Sequence, residues 1–242
     1  RRGVPDPRGV ARLAVHLLRT RPDVVQTWMY HADLVGGLAA RAVGIGRIAW
    51  GIRHSTHDAA HTKASSLLVV DACAGLSHYV PARIVCNSEV ARRVHIARGY
   101  AATKMVVIPN GFDLGRLRPD EAARRAVRAE LGLPDGALLV GLIGRYDPQK
   151  DHRGFMAAAG RLSSEVPEAH FLLAGEGARA DNMELAGYIA QAGIGARVHL
   201  LGRRDDMPRL QAALDLAVSA SAYGEAFPNV VVTQDWHTPK HI

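Results

Sequence analysis

The amino-acid sequence predicts an α/β fold with two domains, each built on a parallel β-sheet. Short apolar runs alternate with longer segments of helical spacing along the chain, as expected for repeated strand–helix–strand units. Of the 242 residues, 48% are apolar and only 5% aromatic, which favours helices packed closely on a sheet over an aromatic-rich β-sandwich. A segment rich in Arg, Ala and Glu at 114–136 separates two series of such units, so we predict a domain boundary after Asp113.

The first predicted domain, 1–113, contains strands and helices in alternation. Two of its helices are expected to end where Gly44 and Pro81 interrupt the helical spacing, and Ser88 is expected to cap its last helix. The predicted strands are 24–30, 48–52, 84–86 and 104–108. The predicted helices are 10–18, 34–43, 65–79 and 88–98.

The second predicted domain, 137–242, repeats this alternation after a connecting helix and linker at 114–136. Because strand and helix alternate throughout, both sheets are expected to be parallel, with right-handed crossovers. The predicted strands are 137–143, 170–174, 198–201 and 214–218. The predicted helices are 151–165, 181–192 and 208–213, and a further helix is expected to begin at Pro228-Asn229-Val230.

Charge and cysteine content narrow the classes of partner. The chain has 30 Lys and Arg against 23 Asp and Glu, a net charge of +7 that permits phosphate-bearing ligands, nucleic acid or an anionic membrane surface. Aromatic residues for base stacking are scarce, so no nucleic-acid partner is expected.

Cys73 and Cys86 are expected to be free thiols. No signal peptide or apolar run of membrane-span length is seen, so a cytoplasmic location is predicted.

Two segments after predicted strands carry candidate ligand-binding residues. Open parallel sheets bind ligands at the carboxyl ends of their strands. After the strand at 137–143, Arg145 can grip a phosphate with two parallel N–H bonds and Lys150 can add a point charge. After the strand at 214–218, Glu225 can accept hydrogen bonds from sugar hydroxyls, and the predicted helix start offers free N–H groups to an anion. The combination predicts a hydroxylated, phosphate-bearing ligand.

Two other patterns are weaker alternatives. The segment Gly175–Ala180 fits G-x-G-x-x-A between a strand and a helix, which would suit an NADP-dependent oxidoreductase with Arg203 and Arg204 near a 2′-phosphate. However, such a fingerprint belongs on the first strand of its unit. The second pattern is a possible zinc site formed by three histidines, but no cysteine accompanies them and only the first directly follows a strand. These histidines are His54, His57 and His61.

An ordered series of segments resembles the retaining glycosyltransferases of family 4, which have the GT-B fold. The matching segments are Pro22-Asp23-Val24-Val25, Arg53-His54, Cys86-Asn87-Ser88, Val107–Asp113, Gly144-Arg145, Lys150-Asp151, Leu173–Gly177, Leu201-Gly202 and Gly224–Asn229. The resemblance covers about 23–231 and implies two Rossmann-like domains that face a cleft. In the family, the N-terminal domain takes the acceptor and the C-terminal domain takes the nucleotide-sugar.

The resemblance also implies roles for individual residues. Arg145 and Lys150 match the pair that grips the donor diphosphate, so both are expected to be catalytic as well as donor-binding. Glu225 matches the first carboxylate of the Glu-x7-Glu motif, which contacts the donor sugar. His54 matches a cleft-facing histidine near the transferred sugar. Further donor contacts are implied at Gly202, Arg203, Ala226, Phe227 and Asn229.

For partners, the resemblance implies a UDP- or GDP-linked sugar as substrate, with no metal and no other cofactor. The acceptor would be a glycan or a lipid-linked sugar in envelope or exopolysaccharide synthesis, with peripheral attachment to the inner face of the membrane left open. Thr233 stands where the second Glu of the motif is expected, and the first strand with its glycine-rich loop has no counterpart. We therefore expect two incomplete domains of a fragment, and keep the alternative of an inactive chain that binds nucleotide-sugar weakly.

Overall fold

The computed structural model describes residues 6–55, 62–113, 115, 119–226 and 229. These residues form two compact units. The first contains the described residues up to Asn110 together with 224–226, and the second contains those from Gly111 to Tyr223 together with Asn229. The predicted second domain, 137–242, includes 224–226, so the division by contacts differs from the predicted one at this segment.

The first unit has a four-stranded parallel sheet in the order β1-β2-β3-β4. Its strands are β1 (Val25–Trp28), β2 (Ile48–Ile52), β3 (Arg83–Cys86) and β4 (Met105–Val107). Its helices are α1 (Pro7–Thr20), α2 (Tyr30–Ala42), α3 (Ala64–Leu76) and α4 (Glu89–Ala97). Trp50 on β2 is fully buried and lies in the same core as Ile48 and Ile84, so the central strands carry the apolar core of this unit.

Local chemistry explains where the helices of the first unit begin and end. The Ser88 side chain accepts a hydrogen bond from the Ala91 amide at 3.1 Å, which confirms it as the N-cap of α4. Helix α3 was predicted to reach Tyr79 but ends at Leu76. There the Ser77 hydroxyl donates to the Ala74 carbonyl at 2.6 Å and accepts from the Ala101 amide at 2.9 Å. Side-chain bonds to nearby backbone compete with helix continuation, which accounts for the earlier end.

The second unit has a four-stranded parallel sheet in the order β7-β6-β5-β8. Its strands are β5 (Leu138–Ile143), β6 (Ala169–Ala174), β7 (Val198–Gly202) and β8 (Leu216–Ala217). Its helices are α5 (Glu121–Glu130), α6 (His152–Glu165), α7 (Met183–Ala192) and α8 (Met207–Ala213). Strand β8 is shorter than the predicted 214–218, and the helix predicted from Val230 lies outside the described residues.

Helix α5 is packed into the second unit. Val127 is fully buried in one apolar cluster with Leu139 of β5 and Leu210 of α8. Arg124 and Arg128 both bind the carboxylate of Asp215, at 2.5 and 3.1 Å. The helix that the sequence places in the linker region 114–136 is therefore part of the core of this unit.

The structure confirms the predicted fold class of alternating strands and helices with two parallel sheets. Among the described helices, none combines the length and the apolar character needed to cross a membrane.

Candidate functional site

The carboxyl ends of β5, β6 and β7 form one edge of the second sheet, where the backbone loops are joined by hydrogen bonds. The Gly144 amide donates to the Ala174 carbonyl at 2.8 Å, and the Gly175 amide donates to the Gly202 carbonyl at 2.7 Å. The Tyr146 amide donates to the Glu176 carbonyl at 2.7 Å. The loop that carries Arg145 is therefore fixed by the loop after β6.

The glycine-rich turn at 175–177 allows this close approach. Gly175 has φ +150°, and a Cβ atom there would overlap the carbonyl group of Gly144. Gly177 has φ +80°, and a Cβ atom there would lie 2.9 Å from the Cβ of Tyr146. Both conformations favour glycine. In this structure the two glycines serve loop packing at the sheet edge, which accounts for the G-x-G-x-x-A pattern without a dinucleotide.

Arg145 presents its guanidinium to solvent at this edge. Its side chain is 63% exposed, and its Nε donates to a carboxylate oxygen of Asp147 at 3.3 Å. The other carboxylate oxygen of Asp147 accepts from the Gln149 amide at 2.9 Å. An exposed ion pair of this kind contributes little to stability, so the Arg145 guanidinium is available to an anionic ligand.

Lys150 is held against the loop that follows β8. Its aliphatic stem covers Gly144, where a Cβ atom would lie 3.5 Å from three of its carbons. Its ammonium donates to the Ser221 hydroxyl at 3.2 Å. Gln149 strengthens this arrangement, because its carbonyl accepts from the Ala222 amide at 2.9 Å and its side chain donates to the Tyr223 carbonyl at 3.0 Å. The sequence analysis missed Gln149, whose only signal is its place beside Lys150.

After β7, the two neighbouring arginines have different roles. Gly202 is buried with φ +62°, and Arg203 is 80% exposed with its Nε 3.8 Å from Asp205. Arg204 instead donates to Asp206 at 2.8 Å and to Glu130 at 2.7 Å. The hydrogen bond from Arg204 to Asp206 lowers the pKa of Asp206 to about 2. Arg203 is thus exposed to solvent, whereas Arg204 ties the end of β7 to α5.

In the first unit, the structure brings His54 and Glu225 together. The two residues form an isolated antiparallel backbone bridge directly after β2. The Ser55 hydroxyl donates to the Glu225 carbonyl at 2.8 Å, and Ala226 joins the core of this unit. The sequence analysis identified His54 and Glu225 but missed Ser55, for which the position after His54 was the only signal.

Arg53, next to His54, is fixed by two neighbours. Its guanidinium lies 4.5 Å from the centroid of the Trp28 ring at the end of β1, a cation–π contact. Its Nη1 donates to the Asn110 side chain at 2.5 Å, after β4. Arg53 therefore links the carboxyl end of β2, beside His54, to the carboxyl end of β1 and to the segment after β4.

A layer of buried ionisable groups lies in the first unit. His95 has no exposed surface, and its Nδ1 lies 2.7 Å from the Ala91 carbonyl, so Nδ1 donates there and Nε2 accepts from the Tyr30 hydroxyl at 2.9 Å. Burial lowers the pKa of His95 to about 4, and the nearby His54 adds to this. Asp33 is 1% exposed and accepts from the Thr27 hydroxyl at 2.6 Å. Burial raises the pKa of Asp33 to about 7 despite that bond.

Some predicted site residues lie outside the described part of the chain. They are His57, His61, Phe227 and Thr233. Asn229 is described and exposed. Within the described residues, no group of three His, Cys, Asp or Glu side chains is arranged to hold a metal ion.

Two family models match the chain. A model described as "Glycosyltransferase Family 4" matches residues 1–116, and one described as "Glycosyl transferases group 1" matches residues 137–234. Together they account for most of the chain, and their order along it is the order of the two sheets.

Individual proteins and structures are also similar. The UDP-Gal:alpha-D-GlcNAc-diphosphoundecaprenol alpha-1,3-galactosyltransferase of Escherichia coli is 26% identical over 235 residues, which cover 95% of this chain and 59% of that protein. The D-inositol 3-phosphate glycosyltransferase of Segniliparus rotundus is 30% identical over 178 residues, covering 69% and 38%. The crystal structure of Anabaena HepE with UDP and glucose superposes with a TM-score of 0.81 at 23% identity, covering 94% and 60%.

The chain therefore spans less than two thirds of the length of these relatives. Two family models in sequence order, two parallel sheets and a shared fold with known glycosyltransferases agree with each other. The chain belongs to glycosyltransferase family 4 and has the two-sheet architecture of the GT-B fold.

Proposed function

We propose that this protein transfers a sugar from a nucleotide-sugar donor to an acceptor hydroxyl with retention of configuration. The observation that carries the proposal is the pair of cations after β5. Arg145 is exposed, and Lys150 is held in place by Gly144 and Ser221 at the carboxyl edge of a parallel sheet. A diphosphate that departs with the bonding electron pair gains negative charge, and fixed cations stabilise that charge most in the transition state.

Each remaining site residue has a proposed role in this reaction. The ionised carboxylate of Glu225 accepts hydrogen bonds from donor sugar hydroxyls, and His54 contacts the transferred sugar. Gly202 and Arg203, with Ala226, Phe227 and Asn229, complete the donor contacts. The acceptor oxygen bonds to the anomeric carbon on the face that the leaving group departs from, which retains the configuration. The bond from that carbon to the diphosphate oxygen breaks, and the acceptor's hydroxyl proton passes to the departing phosphate oxygen.

The substrate class follows from chemistry and from the relatives. We propose a UDP- or GDP-linked sugar as donor and a glycan or lipid-linked sugar as acceptor, in envelope or exopolysaccharide synthesis, with no metal required for departure of the diphosphate. The name of the E. coli relative, which contains both UDP-Gal and a diphosphoundecaprenol acceptor, supports this class. A lipid-linked acceptor would place the protein at the cytoplasmic face of a membrane, and the net charge of +7 agrees with an anionic surface there.

A second candidate is that this chain binds nucleotide-sugar weakly and does not catalyse transfer. The observation that favours it is Thr233, which stands where the family motif has its second Glu. Loss of one hydrogen-bonded carboxylate contact to the donor costs about 1.5–3 kcal/mol, which is about 10- to 150-fold in affinity.

Calorimetry with UDP, UDP-glucose and GDP on this chain tests the diphosphate site. We expect Arg145→Ala and Lys150→Ala each to weaken binding by about 10- to 100-fold, since each removes a charge-assisted bond to phosphate. Arg125→Ala, at an exposed position on α5 of the same unit, is the matched control and should leave the affinity unchanged.

Donor hydrolysis and sugar transfer, measured on this chain and on the longest chain its gene encodes, separate the two candidates. Tight donor binding with turnover that is lost in Glu225→Ala supports transfer. Weak binding without turnover supports the second candidate. Turnover that survives both Arg145→Ala and Glu225→Ala would contradict the assignment of the site.

A further inference from the structure

An arginine at the carboxyl edge of the first sheet is held in place by neutral partners. The Arg53 guanidinium lies 4.5 Å from the centroid of the Trp28 ring, and its Nη1 donates to the Asn110 side chain at 2.5 Å. Within the described part of the chain, no carboxylate is paired with Arg53. The side chain is also exposed. Arg53 is therefore a positioned, accessible cation without a counterion, which suits an anionic ligand.

The exposed arginines after the strands of the second sheet differ from Arg53 in this respect. Arg145, Arg179 and Arg203 each pair with an aspartate two residues further along the chain. At the corresponding distance from Arg53 the chain has Ser55, which carries no charge. The aspartates offset part of the positive charge at the second sheet, whereas the charge of Arg53 is fully available to a ligand.

Trp28 is fixed where it supports this guanidinium. It is 45% exposed at the end of β1 and lies opposite Gly51 of β2. A Cβ atom on Gly51 would lie 2.7 Å from Cε3 of the Trp28 ring, so a larger residue would displace the ring from the strand. The next residue, Met29, has φ +70°, a strained conformation for a residue with a side chain. Such strain is typical of ligand sites, where the surrounding structure maintains it.

The remaining donors of Arg53 match a phosphate group. Asn110 uses Nη1, so the edge of the guanidinium that carries Nε–H and Nη2–H has no partner among the described residues. These two N–H groups are parallel and can bind two oxygens of one phosphate. A neutral sugar has no charge to pair with Arg53. The guanidinium also lies over the Trp28 ring, where a sugar ring would otherwise stack.

We propose that Arg53, supported by Trp28 and Asn110, binds a phosphate group of the acceptor. This inference rests on the proposed function, since it takes the acceptor to bind in the first unit. His54 is the next residue and the proposed contact to the transferred sugar, so a phosphate on Arg53 would place the acceptor beside that sugar. The acceptor is thereby narrowed from glycans in general to a sugar that carries a phosphate or diphosphate. Soluble sugar phosphates and lipid-linked sugar diphosphates share this chemistry.

The test is titration of the ¹⁵N-labelled chain with glucose 1-phosphate, geranyl diphosphate and glucose, followed by NMR. The indole N–H signal of Trp28, assigned with Trp28→Phe, reports on this site. We expect saturable shifts of that signal with both phosphates, with Kd on the order of 1 mM, and none with glucose. Binding should persist when UDP is present, because the donor is proposed to bind elsewhere.

Two substitutions of Arg53 separate its charge from its shape. Arg53→Gln should weaken phosphate binding at least about tenfold, since it removes charge-assisted hydrogen bonds. Arg53→Lys keeps the charge but not the planar fork and should weaken binding less. The rest of the spectrum shows whether each variant is folded. Arg93→Gln, at an exposed position on α4 of the same unit, is the matched control and should leave the affinity unchanged.

The two phosphates also distinguish the sources of the ligand. Tighter binding of geranyl diphosphate supports a lipid-linked diphosphate as acceptor, and tighter binding of glucose 1-phosphate supports a soluble sugar phosphate. Glucuronate bound as tightly as glucose 1-phosphate would overturn the choice of phosphate over carboxylate.

Three further results would overturn the proposal. They are no saturable shift of the Trp28 indole with either phosphate, equal affinity in the wild type and both Arg53 variants, and phosphate binding that is lost in Arg145→Ala. UDP affinity, measured on the same samples, keeps this inference distinguishable from the donor site. Intact UDP binding without a response of Trp28 contradicts only the role of Arg53. A phosphate-dependent shift of Trp28 without UDP binding contradicts only the donor site.

Discussion

The two units of this protein place their ionisable groups differently. Both bury an imidazole, His95 at 0% and His152 at 3% exposed, but among the described residues only the first also buries a carboxyl group, Asp33 at 1%. In the second, Asp206 and Asp215 are paired with arginines near the surface, and its central strands are lined by fully buried apolar residues such as Phe171. The difference indicates that pH acts on the stability of the first unit partly through a buried carboxyl group, whereas these carboxylates of the second unit act through ion pairs with arginines.

The different placement of charged groups in the two units also bears on ligand binding. At the carboxyl edge of the second sheet, Arg145 and Arg203 are exposed, while Arg204 is neutralised by Asp206 and Glu130. A phosphate ligand needs cations that it can reach, and burying such cations without a partner would also cost stability. In the first unit the buried groups lie within the core that also holds Ala226 of the Glu225 segment. We therefore expect the packing of the Glu225 segment to depend on the protonation states of Asp33 and His95.

The largest effect is expected from Gly175→Ala in the second unit. The added Cβ atom would overlap the carbonyl group of Gly144, and the residue would keep a backbone conformation of φ +150°. We expect a loss of at least about 3 kcal/mol in the free energy of unfolding, measured by urea denaturation and hydrogen exchange of β5 and β6. Gly187→Ala in α7, where no atom lies within 4 Å of the added carbon, is the control. It should be neutral or stabilise by up to about 1 kcal/mol. Equal effects of the two changes would contradict the role of Gly175.

The next effect tests the ion pairs of the second unit through Asp215→Ala. Burial alone would raise the pKa of Asp215, but the Leu139 amide and the guanidiniums of Arg124 and Arg128 outweigh it and hold the pKa below its usual value. Removing the carboxylate leaves two partly buried arginines and one strand amide without this partner. We expect about 2–4 kcal/mol of destabilisation by urea denaturation.

The control for Asp215 is Glu89→Ala in the first unit. Glu89 pairs with Arg92 at 2.8 Å, but the side chains are 50% and 33% exposed. An exposed pair on one helix contributes little to stability, because solvent screens it. Should Glu89→Ala cost as much as Asp215→Ala, the contrast between surface and packed ion pairs in this protein would be wrong.

A smaller effect, visible only as pH changes, is expected from Asp33→Asn. The folded pKa of Asp33 is raised from 3.8 to about 7, so its contribution to stability is lost as pH rises through that range. His95 acts oppositely, because its pKa is lowered from 6.5 to about 4 and its contribution is lost as pH falls below 6.5. In the wild type the two slopes oppose each other. Asp33→Asn should therefore leave stability that rises with pH from about 4 to 6.5, by up to about 1.4 kcal/mol per pH unit.

Tryptophan fluorescence measures this change in the first unit. Trp28 and Trp50 belong to the first unit, and no tryptophan lies between Gly111 and Tyr223, so a Trp236→Phe background makes the signal report on the first unit. His95→Gln is the complementary variant. With only the Asp33 contribution left, the stability of the first unit should fall as pH rises. Unchanged pH slopes in both variants would show that these buried groups do not control the stability of the first unit.

The smallest effect is expected from His199→Gln in the second unit. His199 and His170, on adjacent strands β7 and β6, share a hydrogen bond of 3.1 Å between ring nitrogens. Burial lowers the pKa of both, and Arg197 and Arg128 contribute at His170 while His170 contributes at His199. Their contribution to stability is therefore lost as pH falls below 6.5. We expect His199→Gln to reduce this acid sensitivity by about 1 kcal/mol or less, as hydrogen exchange of β7 would measure. A variant as acid-sensitive as the wild type would exclude the pair as its source.

Much of the fold could be predicted because the determining signals are local. Strand β2 was predicted with its observed limits, since an apolar run bounded by polar residues needs no distant information. The N-cap at Ser88 was predicted for the same reason. Strand β8 was predicted too long, because an apolar run at 214–218 does not show how many residues will find a partner on β5.

The sequence by itself determined the α/β class, the order of the elements and the family, and it identified Arg145, Lys150, His54 and Glu225 as site candidates. Only the tertiary structure decided which residues surround them. Nothing local shows that Gln149 binds the Tyr223 carbonyl, that Ser55 binds the Glu225 carbonyl, or that Arg204 is neutralised while Arg203 is not. These outcomes depend on segments that are far apart in the chain and meet only when the sheets form. Periodicity and motif spacing describe neighbours along the chain, whereas hydrogen-bond partners and burial are set by neighbours in space.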